Sequence, residues 1–463
     1  MRKLRSGQKD AIKYMQYGEH WALFMEMRLG KTLCCIRKVK QLGVAKKILV
    51  VGPYSALHGW KQELLTENQQ CIVDMTGTAQ KRKDIAKTIN NTENVVNLWA
   101  LTNKECHLSI GQQLLEIAWD VVILDESHSI KSPFKKKIVK DDKGNIIQSY
   151  YTPKISYFFV NNFRNVKHRI ILSGTPWEDN ELEFFNQLQF LDPGILRYRN
   201  YWDFRDDHFI QLGFEYIMKQ TSKIWFTKKL AKHCFFLTRK DCNLGGEKIF
   251  ETRAVDLPPS ARVLYNRIEK EFISEVDGNV KSTIFATERF LWLRRICGGI
   301  YEGREIHLEK IKVMQELFES ELKGQQVIIW TYFIDELVKV HSIFGDAVSV
   351  HGGIKPKERP EIVKQFTSGK VQYFIAQPGC FKEGVDLSCA KTMLYYSTPF
   401  GVTRRQTEDR FVNVGNKDSL LVVDITCKDT IEEDILAGIR ENLTNQQILE
   451  RMRKRWIISQ NRK

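Results

Sequence analysis

The strongest constraint on this chain is a series of uninterrupted aliphatic runs, each ending in a polar turn. The short run "HWALFM" ends at a glycine-containing loop. It is followed by "KKILVVGP", "NVVNLWA", "WDVVILDES" and "HRIILSGTP". Strands that alternate apolar and polar residues pack one face and wet the other. Continuous Val/Ile/Leu runs separated by helical text instead imply a parallel sheet covered on both faces. Between the runs, Gln8 to Tyr17 and "KTLCCIRKVKQL" read as helices.

The middle of the chain reads differently. From about Glu181 to Lys240 it is helical, aromatic and basic ("FFNQLQFL", "YRNYWDFRDDHF", "KIWFTKKLAKHCFFLTRK"). "DLPPSA" marks a break, and helical text then continues to about Leu322. A second alternation follows, with strands in "QQVIIWTYF", "AVSVHGG", "VQYFIAQPG", "KTMLYYSTP" and "SLLVVDITC". The expected class is α/β, with two parallel-sheet domains joined by helical material. The boundaries expected are 1–180, 181–322 (belonging partly to both lobes) and 323–463, the last ending in a basic helix, "LERMRKRWIISQNRK". That helix fits a phosphate backbone or a plain solvated terminus equally well.

With 71 Lys and Arg against 56 Asp and Glu, the formal charge is +15. Such an excess favours a polyanionic partner, nucleic acid first among them, over a basic surface kept for solubility. None of the ten cysteines forms a CxxC pair. No structural zinc and no disulfide framework are therefore expected, and a reducing compartment fits. There is no apolar stretch of membrane-spanning length, and no apolar run follows the basic N-terminus "MRKLRSGQKD". Neither a membrane partner nor a secretory leader is expected, and a cytoplasmic setting is.

Two stretches carry chemistry. "MEMRLGKT" (Met25 to Thr32) sits between a strand and a helix, the geometry in which backbone N–H groups and a helix N-terminus bind phosphate. Lys31 would reach the outer phosphates and the Thr32 hydroxyl would hold Mg²⁺. The full phosphate-loop pattern needs glycine where Met25 stands, and a lone "GKT" arises by chance. "VVILDESH" (Val121 to His128) delivers adjacent carboxylates to the end of a strand, where ligands of open α/β sheets bind. Asp125 suits Mg²⁺, directly or through water. Glu126 suits the attacking water, and His128 a sensor of the result. A strand followed by a polar turn would also give "DE".

Together these motifs resemble the superfamily 2 helicases, in particular the Swi/Snf-like branch of DNA translocases. "LRSGQ" resembles the adenine-reading motif, with Gln8 as reader, and "EMRLGKT" resembles motif I. "ILVVGPYSALHGWKQEL" is similar to motif Ia, "DESH" to motif II and "LSGTPWEDN" to motif III. "FLDPGIL" and "LTRK" resemble the helical insertion. "VIIWTYFIDEL" is similar to motif IV, "CFKEGVDLSCAKTMLYYSTPF" to motif V and "QTEDR" to the opening of motif VI, while "TIEEDIL" resembles the closing helix.

The resemblance implies two RecA-like lobes with ATP in the cleft between them, and ATP and Mg²⁺ as cofactors. Gln8, Arg28, Leu29, Gly30, Lys31, Thr32, Asp125 and Glu126 would serve on lobe 1. Gly384, Asp386, Gln406 and Arg410 would serve on lobe 2. Ser173, Gly174 and Thr175 in "SGTP" would relay nucleotide state, although a turn-making role would explain them too. Relatives carry glycine where Arg28 stands. It reads as a tolerated change pointing away from the phosphates, or else as added charge beside them. Where a second motif VI arginine is usual, this chain has Asn413. Either Arg410 acts alone, or Arg404 or Arg405 substitutes, or hydrolysis is slow.

DNA contacts would come from hydroxyls and lysines along the track, Ser55 of motif Ia among them, and from Arg404 and Arg405. His58, Trp60 and Trp99 read as packing residues. Between motifs II and III, "KKIVK", "DDKGN" and "IIQSYY" read as a β-hairpin within 133–153. Lys135, Lys136 and Lys137 lie at its base, as a wedge beside DNA or as a decorative surface feature. The expectation is a monomeric DNA-dependent ATPase of the compact phage or bacterial type. It would act on duplex, fork or junction DNA in replication, recombination or repair, with UvsW/RecG-like branch migration the finest reading. An RNA helicase or a DNA clamp with little hydrolysis is the alternative.

Overall fold

The computed structural model describes residues 2–455, except 44–46, 94, 132–134, 141–145, 152, 178–179, 213–214, 243–246, 278–282, 356, 382–384, 400, 409–418, 442, 444–447, 449–450 and 453. The chain divides into two compact units, Met1–Leu244 and Gly245–Lys463.

The first unit begins with helix α1 (Ser6–Tyr14). Its main strands are β1 (His20–Met25), β2 (Lys47–Gly52), β3 (Ile72–Asp74), β4 (Leu98–Asn103) and β5 (Val121–Asp125). Then come β6 (Lys135–Lys140), β7 (Ile146–Tyr151), β8 (His168–Ser173), β9 (Phe209–Leu212), β10 (Glu215–Met218) and β11 (Cys234–Leu237). Seven of them form one sheet in the order β11-β1-β8-β5-β2-β4-β3. Every pairing in it is parallel. The reason lies in the runs themselves. Alternate residues of a strand face opposite sides of its sheet. Val122 and Leu124 enter one core with Leu49 and Val51, whereas Val121 and Ile123 enter another with Ile48 and Val50. Apolar residues at every position are needed because both faces are covered.

The second unit holds β12 (Lys248–Val255), the short hairpin β13 (Ile300–Tyr301) and β14 (Arg304–Glu305), then β15 (Val327–Trp330), β16 (Ala347–Val350), β17 (Tyr373–Ala376), β18 (Thr392–Tyr395) and β19 (Leu420–Cys427). Its parallel six-stranded sheet has the order β12-β19-β18-β15-β17-β16. Val327 and Ile329 face one core, Ile328 and Trp330 the other.

The stretch expected as a helical insertion, 181–322, is divided between the units, and each part supplies an edge strand. "CFFL", read as helical text, is β11, hydrogen-bonded to β1. "KIFETRAV" is β12, paired along its whole length with β19. β6 and β7 form the expected antiparallel hairpin, with Lys135 opposite Tyr151 and Lys136 opposite Tyr150. Its turn lies outside the described residues, as does the tail beyond residue 455. Of the basic tail's arginines, Arg455 is bonded to Glu269 and Asp434, each at 2.7 Å. That guanidinium is docked on its own unit rather than offered to a phosphate backbone.

Candidate nucleotide site

The ends of β1, β5 and β8 lie side by side, since β8 pairs with both neighbours. Whatever follows these strands is brought together at the carboxyl edge of the sheet. After β1 comes the phosphate loop, then helix α2 (Lys31–Gln41). Gly30 caps α2 at φ 90° and ψ 37°, a left-handed conformation that favours glycine. A Cβ there would also fall 2.3 Å from Gln8 Nε2. Glycine is thus required twice over. Arg28 lies at φ 66°. Glycine occupies this region freely and an arginine does so at a cost of about 1–2 kcal/mol.

Gln8 is buried and braces the loop. Its Oε1 accepts from the Arg5 amide and its Nε2 donates to the Leu29 carbonyl, both at 3.0 Å. An amide has two N–H donors and two oxygen lone pairs, so these two bonds would still leave it one of each with which to read an adenine. The Leu29 side chain belongs to the core rather than to a ligand surface. Lys31 Nζ donates to the carbonyls of Met25 (2.7 Å) and Glu26 (3.4 Å). Among the described residues these carbonyls are its hydrogen-bond acceptors, and an ammonium so held can exchange them for phosphate oxygens.

β5 supplies the acids. Asp125 and Glu126 are both buried. Asp125 accepts at one oxygen from Trp60 Nε1 (2.7 Å) and at the other from the Glu126 amide (2.9 Å). Burial, and then the neighbouring Glu126 carboxylate, push its carboxyl above the usual range, against the pull of Trp60 and Lys31. For Glu126, burial pushes upward, but the His128 hydrogen bond and the charges of Lys31, His128 and Lys104 outweigh it, and its carboxyl is held low. One acid is thus poised to be ionised throughout and the other to titrate more easily. Glu126 sits at φ 51°, a strained position of the kind that gathers at functional sites. Its Oε2 lies 3.3 Å from His128 Nδ1 and 3.5 Å from Ser173 Oγ, so motif III touches motif II directly. Ser173 Oγ also accepts from the Thr175 amide at 3.1 Å, the turn-making bond. A Cβ on Gly174 would stand 3.5 Å from Lys31 Nζ, in ordinary contact.

Three residues here carry no signal in the sequence as site residues. Trp60 is buried as expected, but its indole N–H is spent on Asp125. Gln187, in the helix Phe184–Leu191, accepts from Ser127 Oγ (2.7 Å) and donates to the Pro176 carbonyl (2.6 Å), tying "DESH" to "SGTP". Glu26 accepts from the Arg239 amide at 2.8 Å, and its own amide donates to the Leu237 carbonyl at 2.9 Å. Only hydrogen-bonding geometry reveals these; no spacing in the sequence does.

Oxygen donors at Thr32 and Asp125 are the hard set that suits Mg²⁺. Ser55 is exposed on helix α3 (Tyr54–Thr66), and His58 is exposed too, contrary to its reading as a packing residue.

In the second unit, Gln406 is buried and Asp386 exposed, the latter accepting from the Ser388 amide and hydroxyl. Gly384, Arg410 and Asn413 lie outside the described residues. Arg405 is exposed on the helix Gly401–Glu408. Arg404 corrects an expectation. It is 1% exposed and bonded to both oxygens of Asp424 (2.6 and 3.0 Å) and to Glu408 (2.7 Å). It also lies 3.6 Å over the Tyr395 ring. A guanidinium so enclosed reaches no DNA. Cys297, Cys427 and Glu432 approach one another in the core, but the ammonium of Lys310 already binds Glu432, at 2.7 Å.

No helix among the described residues is long and apolar enough to cross a membrane. The SNF2-related domain matches residues 8–143, and the helicase conserved C-terminal domain matches 309–415. The "Putative ATP-dependent helicase/translocase YwqA" of Bacillus subtilis is 22% identical over 476 residues, covering 94% of this chain and 48% of the relative. An "Uncharacterized ATP-dependent helicase" of Mycoplasma pneumoniae is 23% identical over 457 residues, covering 93% of this chain and 41% of the relative. The chain thus spans about half or less of the length of these two. The "Uncharacterized ATP-dependent helicase YqhH" of B. subtilis is 23% identical, covering 90% of this chain and 74% of the relative. Among solved structures, the "Sulfolobus solfataricus SWI2/SNF2 ATPase core in complex with dsDNA" aligns with a TM-score of 0.44 and 21% identity, over 96% of this chain and 92% of that one. The chain thus carries an SNF2-related domain followed by a helicase conserved C-terminal domain, and it resembles the SNF2-related helicases over these two stretches.

Proposed function

We propose that this chain is an ATP-driven translocase on DNA. One observation carries the reading: Lys31, hydrogen-bonded to the Met25 and Glu26 carbonyls, shares its field with two buried acids of opposite tendency at the end of β5. Lys31 would bind the outer phosphates, and Thr32 and Asp125 would hold Mg²⁺, which neutralises phosphate charge when bound. Glu126, kept ionised, would orient the attacking water and accept its proton. His128, Ser173 and Gln187 would register the change. Resemblance to the family assigns Gly384, Asp386, Gln406 and Arg410 to the nucleotide as well.

The net charge of +15 supports a polyanionic track, and relatives named as helicases or translocases support a nucleic-acid motor. The finer reading is fork or junction remodelling, with the hairpin β6–β7 and its Lys135, Lys136 and Lys137 as the wedge. The test is steady-state ATP hydrolysis with single-stranded DNA, linear duplex, fork, four-way junction and duplex RNA, at one salt concentration. Stimulation by fork and junction above linear duplex supports remodelling, and equal stimulation leaves a general duplex translocase. Preference for duplex RNA would overturn the DNA reading.

A further inference from the structure

From Tyr216 to Lys240 the chain carries Lys219, Lys223, Lys228, Lys229, Lys232, Arg239 and Lys240 and no acid. Most of this stretch is the helix Gln220–His233. Phe226 and Ser222 face inward; Lys223, Lys228 and Lys232 are exposed, whereas Lys229 is only partly so, its Nζ 5.8 Å from the Trp225 ring centroid. Ile224, four residues before Lys228, is 67% exposed on the same stripe. Lysines in a last turn would also complement the helix dipole, but that needs one or two of them and leaves the absence of acids unexplained.

The helix is also wired to the nucleotide site. It runs straight into β11, which pairs with β1 from Ala22 opposite Cys234 to Met25 opposite Leu237. At that edge the Glu26 amide bonds the Leu237 carbonyl, and the Glu26 carboxylate receives the Arg239 amide (2.8 Å) and guanidinium (3.2 Å). Glu26 in turn offers its carbonyl to Lys31. Lys31 thus bonds the backbone of the same residue whose carboxylate Arg239 holds, and a phosphate that took Lys31 from these carbonyls would act on that residue. A residue that fixes Glu26 biases whether Lys31 keeps these carbonyls, as coupling between two sites requires.

We propose that the helix Gln220–His233 is a docking surface for the phosphate backbone of duplex DNA, and that the Glu26–Arg239 pair carries this contact to the phosphate loop. The proposal rests on the translocase reading above. Arg239 is here a positioning residue, acting through Glu26.

Binding of a labelled duplex would be measured without nucleotide across a salt series, for the wild type and for Lys223→Ala/Lys228→Ala/Lys232→Ala. Affinity at low salt is expected to fall roughly tenfold, and the log–log salt slope to shrink by about one for each phosphate no longer neutralised. Thermal unfolding is expected to stay unchanged. Wild-type affinity and slope in the triple variant would overturn the docking surface. In parallel, the KM for ATP would be measured with and without duplex for Arg239→Gln and for the swap Glu26→Arg/Arg239→Glu. Arg239→Gln is expected to keep duplex affinity but lose the DNA-dependent change in KM, and the swap to restore part of it. A wild-type KM response in Arg239→Gln would overturn the coupling. If the wild type turned over no ATP at all, the translocase reading would fall, while the binding series would still decide the docking surface.

Discussion

Both units set a cation near buried carboxylates, yet the two clusters are built to opposite ends. In the second unit, Arg404 meets Asp424 through two hydrogen bonds and Glu408 through a third, and Glu408 also takes Lys248 at 2.7 Å. In the first, among the described residues, Lys31 bonds carbonyl oxygens in the loop, and Asp125 leans on an indole and an amide. The first unit also holds strained backbone at Arg28 and Glu126. A closed network of matched charges supports a fold. A cluster whose cation is held by carbonyls, and one of whose acids is held by an indole and an amide, can exchange those neutral partners for a ligand. Buried charge alone does not mark a site; the identity of the partners does.

The largest expected effect is on the open cluster. Glu126→Gln should lower ATP turnover by about 10³-fold or more while leaving nucleotide binding intact, read by single-turnover kinetics beside a binding titration. Survival of turnover would remove Glu126 from the reaction. The closed cluster should respond in stability instead. Asp424→Ala strands a buried guanidinium, and about 3–5 kcal/mol should be lost in denaturant unfolding. A loss below about 1 kcal/mol would mean that Arg404 is not so enclosed.

A smaller change sharpens the acids' roles. Trp60→Phe removes the hydrogen bond that favours ionised Asp125 and should cost about 1–2 kcal/mol. Asp125 is already raised, and losing this bond raises it further. The acid limb of the pH–activity profile, where activity falls as Asp125 protonates, should therefore move to higher pH. An unmoved limb would show that another group sets it. Smallest is Arg28→Gly. Relief of a left-handed arginine should stabilise the first unit by up to about 1 kcal/mol, offset by the greater freedom of glycine when unfolded. A loss of nucleotide affinity would instead place the Arg28 charge beside the phosphates.

How legible the molecule is in its sequence differs by region, for physical reasons. Central strands such as "VVILD" are buried on both faces, so composition alone exposes them. The edge strands are harder to see. "CFFL" continues a basic helical run, and β12 is largely exposed, so neither shows a continuous aliphatic signature. Lys31, Thr32, Asp125 and Glu126 are legible because their spacing follows strand ends. Trp60, Gln187, Glu26 and Arg239 act through bonds across 65, 60 and 213 positions of sequence, which no local pattern encodes. Arg404 misleads because an arginine next to an exposed one looks alike in sequence, and only the facing Asp424 decides its side.

The most direct test of the central claim is calorimetric titration of MgATP into the wild type, Lys31→Ala and Lys248→Ala. The expected result is one saturable site in the wild type, its loss in Lys31→Ala and its survival in Lys248→Ala, where only the closed network is clipped. Equal binding by wild type and Lys31→Ala would contradict the account, because the cation seated on carbonyls would then not be waiting for phosphate.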